Sequence, residues 1–108
     1  MTTGGADNKD DKLPVNIDRL IHEPARLLIM ANLYVVETAD FLFLMRQTGL
    51  TNGNLSSHLS KLEAAGYIDV VKEFVGKKPH TMLRLTQKGR DAFHEYQRSI
   101  KQVFDSLA

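Results

Sequence analysis

The stretch Thr51 to Ile68, TNGNLSSHLSKLEAAGYI, constrains this chain more than any other. Leu55, Leu59 and Leu62 recur at i, i+4 and i+7, which stacks three apolar side chains along one side of a helix. At about 100° per residue, the opposite side carries Asn54, Ser57 and Lys61, with Gly53, Ser60 and Ala64 between them. Asn52, Ser56 and His58 fall on the flanks. That outer surface is small and polar, with one cation and no acid. Such a surface fits a DNA major groove, where amide, hydroxyl and ammonium groups meet base edges and phosphates. Taken alone, it equally describes a soluble amphipathic helix that is rich in Ser and Asn. The flanking segments decide between the two.

Thr51 suits an N-cap, because its hydroxyl can accept from a free backbone N–H of the first turn. Asn54 stands where Glu or Gln would complete a capping box. Gly66 lies where a helix ends in a left-handed residue. Upstream, an apolar segment from Phe41 to Gly49 and a three-residue turn make the pair a helix-turn-helix. Downstream, Ile68 to Glu73 is β-branched and reads as a strand, with Met82, Leu83, Leu85 and Thr86 on its antiparallel partner. The turn is expected over Phe74 to His80, with Gly76 bending it and Pro79 stopping further pairing. Lys77 and Lys78 at the tip are costly to bury and easy to aim, at backbone phosphates or into a minor groove. The alternative is that they only discourage edge-strand aggregation.

The run GNLSSHLSKLEAAGYIDVVKEFVGKKPHTMLRLTQKGRDAF, with HLSKLEAAGYI, GKKP and LTQKGR in this order, resembles winged-helix transcriptional regulators of the MarR/ArsR type. It is most similar to the short stand-alone winged-helix DNA-binding proteins of prokaryotes. The resemblance spans about Ile21 to Tyr96. It implies an α+β winged helix-turn-helix with a two-stranded wing and a C-terminal dimerisation helix.

With 108 residues the chain is expected to form one domain, whose small core would gain from dimerisation. The net charge of +1 hides an asymmetry. From Thr51 to Arg90, seven bases (Lys61, Lys72, Lys77, Lys78, Arg84, Lys88, Arg90) face three acids (Glu63, Asp69, Glu73). That half therefore carries +4 and the remainder −3. A locally basic half supplies phosphate attraction that whole-chain charge conceals. No cysteine is present, which excludes disulfides and thiolate metal sites and fits a reducing, cytoplasmic setting. No apolar run approaches the ~20 residues that span a bilayer, and the N-terminus lacks a signal-peptide pattern. No membrane association is expected.

Residues 1–15 are expected to be an unstructured polar tail, and residues 16–108 the domain. Asn16 or Asp18 would cap a short turn, and Pro24 opens a helix running to Val36. That helix is apolar over more than one stripe, implying contact with the core and with a second subunit. A very short strand follows near Thr38, and then a helix reading FLFLMRQT. This helix is greasier than the family pattern, and geometry cannot turn Leu42, Phe43, Leu44 and Met45 all toward one core. One or two of them are expected to be exposed, or covered by a partner, a ligand or the first helix. Thr86 caps a last helix over 87–107, where Phe93, Tyr96, Ile100, Val103 and Leu107 follow a 3, 4, 3, 4 spacing. That narrow a/d seam reads as a dimer interface, as the resemblance also implies, with intramolecular packing as the alternative.

No phosphate loop, HExxH or GxSxG motif is present, and His58 has no neighbouring nucleophile, so an enzyme is not expected. Asp91 and His94 share a helix face, but the fuller ligand set of the metal-sensing ArsR-type relatives is missing. Neither a metal nor a cofactor is expected. The expected function is sequence-specific binding of double-stranded DNA by a homodimeric regulator, a repressor on an inverted repeat. Asn54 and Ser57 would read base edges, and Thr51, Asn52, His58 and Lys61 would meet phosphates. Lys77 and Lys78 would clamp the flank, with Lys72 and Arg84 adding phosphate contacts. A small-molecule effector is left open. The alternative is a winged-helix protein-interaction module that docks through the apolar second helix.

Overall fold

Four side-chain oxygens set the four helix starts. Glu23 accepts from the backbone N–H of Arg26 at 2.8 Å and Asp40 from that of Phe43 at 2.7 Å. Thr51 accepts from Asn54 at 3.2 Å and Thr86 from Gly89 at 2.9 Å. Each satisfies one of the donors that a helix N-terminus leaves free. The helices that follow are α1 (Pro24–Val36), α2 (Phe41–Thr48), α3 (Asn52–Ala64) and α4 (Gln87–Asp105). The strands are β1 (Thr38–Asp40), β2 (Ile68–Val75) and β3 (Lys78–Leu85). They form one antiparallel sheet with β3 in the middle, between β1 and β2. The computed structural model describes residues 16–107, so the expected tail over 1–15 lies outside the described residues.

The hairpin departs from expectation. Its turn is only Gly76-Lys77, and Phe74, Val75, Lys78, Pro79 and His80 are strand residues. Gly76 has φ 66° and Lys77 keeps a negative φ, the arrangement of a two-residue turn with Gly in the first central position. Such a turn matches strand twist and holds the pairing to the end. Pro79 does not stop the ladder, since it lies opposite Phe74. At that height β1 has already ended, at the Asp40–Met82 pair, so β3 has a free edge where a missing N–H leaves nothing unpaired.

The apolar stripe of α3 is the floor of the core. Leu55 and Leu62 are fully buried and Leu59 nearly so, against Ile29, Met30 and Leu33 of α1, Leu44, Ile68 and Leu83. Each such side chain contributes about 1.5–3 kcal/mol by leaving water. The apolar α2 is mostly absorbed: Leu44 is buried, Phe41, Phe43 and Met45 are half-buried, and Leu42 alone of that run is largely exposed.

The corner between α3 and α4 is tight. The Thr86 hydroxyl donates to the Gly66 carbonyl at 2.6 Å, and its backbone N–H donates to Tyr67 O at 3.0 Å. Gly89 presses on the Tyr67 carbonyl as well: a Cβ there would lie 2.0 Å from Tyr67 O. The N-terminal turn is tied to this corner. Asp18 accepts from Leu20 N and Ile21 N with one oxygen and from the Tyr67 hydroxyl with the other. Burial, then Asp18, pushes the Tyr67 hydroxyl up to about 12.

The expected seam on α4 is divided. Phe93 and Tyr96 are 5% and 7% exposed and belong to the domain's own core. Phe93 packs on Tyr34 of α1, with ring centroids 5.0 Å apart, and the Tyr96 hydroxyl is hydrogen-bonded to His22 Nδ1 at 2.8 Å. These two residues are therefore not free to meet a partner. Ile100 and Val103 are half-buried, and Phe104 and Leu107 are 67% and 75% exposed. Outward-facing Leu28 and Val35 of α1 add 46% and 78% exposure.

Candidate nucleic-acid interface

Burying Leu55, Leu59 and Leu62 forces the other side of α3 outward. Thr51, Asn52, Asn54, Ser57 and Lys61 are all exposed, as are Ser56 and Ser60 beside them. Among the described residues, the side chains of Asn54, Ser57 and Lys61 make no hydrogen bond or ion pair. Their donors and acceptors are therefore unspent. The amide of Asn54 carries the two-sided pattern that pairs with adenine, and Lys61 supplies a point charge.

His58 is set apart from these residues. It lies on the α1 flank of α3, 19% exposed, with Nδ1 at 3.1 Å from Arg26 Nη1 and 3.9 Å from Glu23 Oε1. Arginine can only donate, so Nδ1 accepts and the ring proton sits on Nε2. Arg26 is in turn fixed by donating from Nε to Leu20 O at 2.6 Å. The Arg26 backbone N–H holds the Glu23 carboxyl below its usual range against the opposing effect of burial, and the Arg26 charge adds to the lowering. His58 thus links α3 to the start of α1.

The hairpin beside α3 has two unlike faces. Cross-strand partners share a face and faces alternate along each strand. One face carries Ile68, Val70, Lys72 and Phe74, opposite Leu85, Leu83, Thr81 and Pro79. The other carries Asp69, Val71, Glu73 and Val75, opposite Arg84, Met82, His80 and Lys78. The first face looks toward α3. A groove of about 580 Å³ runs between them, lined by Ser56, Ser60 and Glu63 on one side and by Val70, Lys72 and Thr81 on the other. Lys72 therefore shares a surface with α3. Both hairpin acids, Asp69 and Glu73, sit on the far face.

Arg84 lies on that far face too, and its Nε is 3.4 Å from Asp69 Oδ2, its cross-strand partner. It is paired with an acid in the body of the hairpin and faces away from α3, whereas Lys78 on the same face stands at the tip. Lys77 and Lys78 are exposed at the tip, Lys77 in the turn and Lys78 opening β3. Alternation separates Asp69 and Glu73 from Val70 and Lys72, and the register and the groove show which of the two faces looks toward α3. The Arg26–His58 contact was not legible in the sequence, because it joins residues 32 positions apart.

Among the described residues, no three His, Cys, Asp or Glu side chains cluster as metal ligands would, and no helix is long and apolar enough to cross a membrane.

Comparison with known proteins places this geometry. The model of a winged helix DNA-binding domain family matches residues 25–104. An uncharacterized protein from Methanocaldococcus jannaschii is 35% identical over 89 residues, 82% of this chain and 97% of that protein. The structure of a transcriptional regulator homologue from Pyrococcus horikoshii OT3 has a TM-score of 0.78 at 31% identity, covering 83% of this chain and 89% of that one. A MarR-family transcriptional regulator from Silicibacter pomeroyi shares the fold, with a TM-score of 0.64 at 19% identity over 82% of this chain and 59% of that one.

Proposed function

This chain belongs to the winged helix DNA-binding domain family and is a winged-helix transcriptional regulator, and from that premise we propose that it reads a specific duplex sequence as a homodimer and represses by occupying it. The observation that carries the reading is the unspent polar face of α3 flanked by a hairpin whose acids are turned away. In this reading α3 enters the major groove. Asn54 and Ser57 meet base edges, Thr51, Asn52 and Lys61 meet phosphates, and Lys72, Lys77 and Lys78 hold the flanking backbone. His58 positions α3 through Arg26 and touches no DNA.

The dimer reading rests on the outer half of α4 and on α1. Ile100 and Val103 continue outward to Phe104 and Leu107, and Leu28 and Val35 offer a second apolar stripe. A second copy is the simplest cover for both. Two-fold symmetry then sets half-sites about one helical turn apart, or a multiple of it.

Equilibrium binding to duplex DNA at several salt concentrations tests the reading. Binding should weaken steeply with salt. Replacing Lys77 and Lys78 by Ala should flatten the logarithmic slope by about 2 per protomer, since every phosphate left without its lysine keeps about 0.9 of a condensed counterion. An unchanged slope would remove the hairpin tip from the interface.

A further inference from the structure

Resting on that DNA-binding reading, we infer that Phe74, with Pro79 beside it, is an apolar wedge that enters the minor groove next to each half-site and selects a deformable base step there. Phe74 is 74% exposed, yet it is held in a strand and not in a loop. Its position is fixed by pairing with Pro79, and the two share the face that carries Lys72 and looks toward α3. That face continues the surface assigned above to DNA. Lys72 precedes the ring on this face and exposed Lys77 stands beyond it in the turn, while exposed Lys78 opens the next strand on the reverse face. Asp69 and Glu73 lie on the reverse face.

A ring flanked by cations near the end of a protruding hairpin suits a partner that is anionic at its rim and apolar within. The minor groove has that form: two phosphate rows bound a slot about 6 Å wide whose interior is base edges and stacked rings. The hairpin also carries the ring clear of the core: Phe74 stands six residues beyond buried Ile68, about 20 Å along a strand. Phe74 has no donor or acceptor, so it cannot read base edges. It would discriminate by what it costs to open a step, and pyrimidine–purine steps open most readily. The consequence is a sequence preference at a position where no hydrogen bond is made.

The test uses the full chain and duplexes that it enriches from a random pool, with 2-aminopurine placed at the flanking step. Wild-type protein should raise the 2-aminopurine fluorescence by unstacking it, and should bend the duplex in a circular-permutation gel. Phe74→Ala should abolish both, erase the preference at the flanking step and weaken binding by about tenfold. The salt slope and the preference within the half-site should stay as in wild type. Phe74→Leu, which keeps an apolar wedge, should restore part of the bend. Wild-type binding with no fluorescence rise and no bend would overturn the inference while leaving the DNA-binding reading intact. So would a Phe74→Ala variant indistinguishable from wild type, or one that loses self-association alone. Failure of wild type and Phe74→Ala alike to bind any duplex at low salt would sink the DNA-binding reading, and this inference with it.

Discussion

At the scale of single residues, the most demanding position is Gly89. It opens α4 directly over the Tyr67 carbonyl, and a methyl group there would sit 2.0 Å from that oxygen. The obstacle is backbone, also held by the Thr86 N–H, and so cannot rotate away. Gly89→Ala should therefore destabilise the domain by about 2–3 kcal/mol, despite the better helix propensity of Ala. In a domain of this size the melting temperature should drop by about 10–20 °C. An unchanged melting curve would mean that the corner yields easily. Asn54 makes the opposite kind of prediction. Its side chain supports nothing in the fold, so Asn54→Ala should leave melting unaltered and remove discrimination at one base position, at a cost of ~1–3 kcal/mol. Competition binding against single-base operator variants measures this; a loss equal on every sequence would make Asn54 a phosphate contact. Residues such as Asn54 were legible in the sequence because a helix of known phase exposes them. Gly89 and the Arg26 contact of His58 were not, since helical and strand periods do not place Tyr67 and Arg26 beside them.

At the scale of elements, α3 and the hairpin show why some boundaries can be read and others cannot. Three leucines at helical spacing, Thr51 before them and Gly66 after them leave α3 little choice. The hairpin tip is harder. Gly76, Lys77, Lys78 and Pro79 all disfavour strands and so point to a long turn that takes in Phe74 and Val75, yet the two-residue turn at Gly76 carries the ladder through them. For α4 the difficulty is one of partner. A 3, 4, 3, 4 spacing marks a narrow apolar seam whether the covering helix is α1 or a second copy. In the structure the domain itself covers Phe93 and Tyr96, Ile100 packs partly against the same core, and the seam opens toward Phe104 and Leu107. Phe104, 67% exposed, is the residue with which to test that open half, because the domain does not need it for its own core. Phe104→Asp should halve the mass measured by sedimentation while leaving the thermal transition of the domain in place. A mass equal to that of wild type would take the outer half of α4 out of the interface.

At the scale of the whole molecule, the central claim is that charge and shape converge on one surface. The net charge of +1 gives no hint of it. The fold sets Lys61 and Lys72 beside the polar face of α3, puts Lys77 and Lys78 at the hairpin tip, and turns Asp69 and Glu73 to the other side of the hairpin. The family and the winged-helix architecture were legible from motif order, because HLSKLEAAGYI, GKKP and LTQKGR lie on consecutive elements of one unit. The partition of the surface needed the register of the hairpin as well. The most direct measurement is enrichment of duplexes from a random DNA pool by the purified chain, followed by sequencing. Two copies of one motif in inverted orientation, centred about one helical turn apart or a multiple of it, are the predicted result. Recovery of unrelated duplexes, with binding that disappears at moderate salt, would contradict the claim that this surface reads sequence.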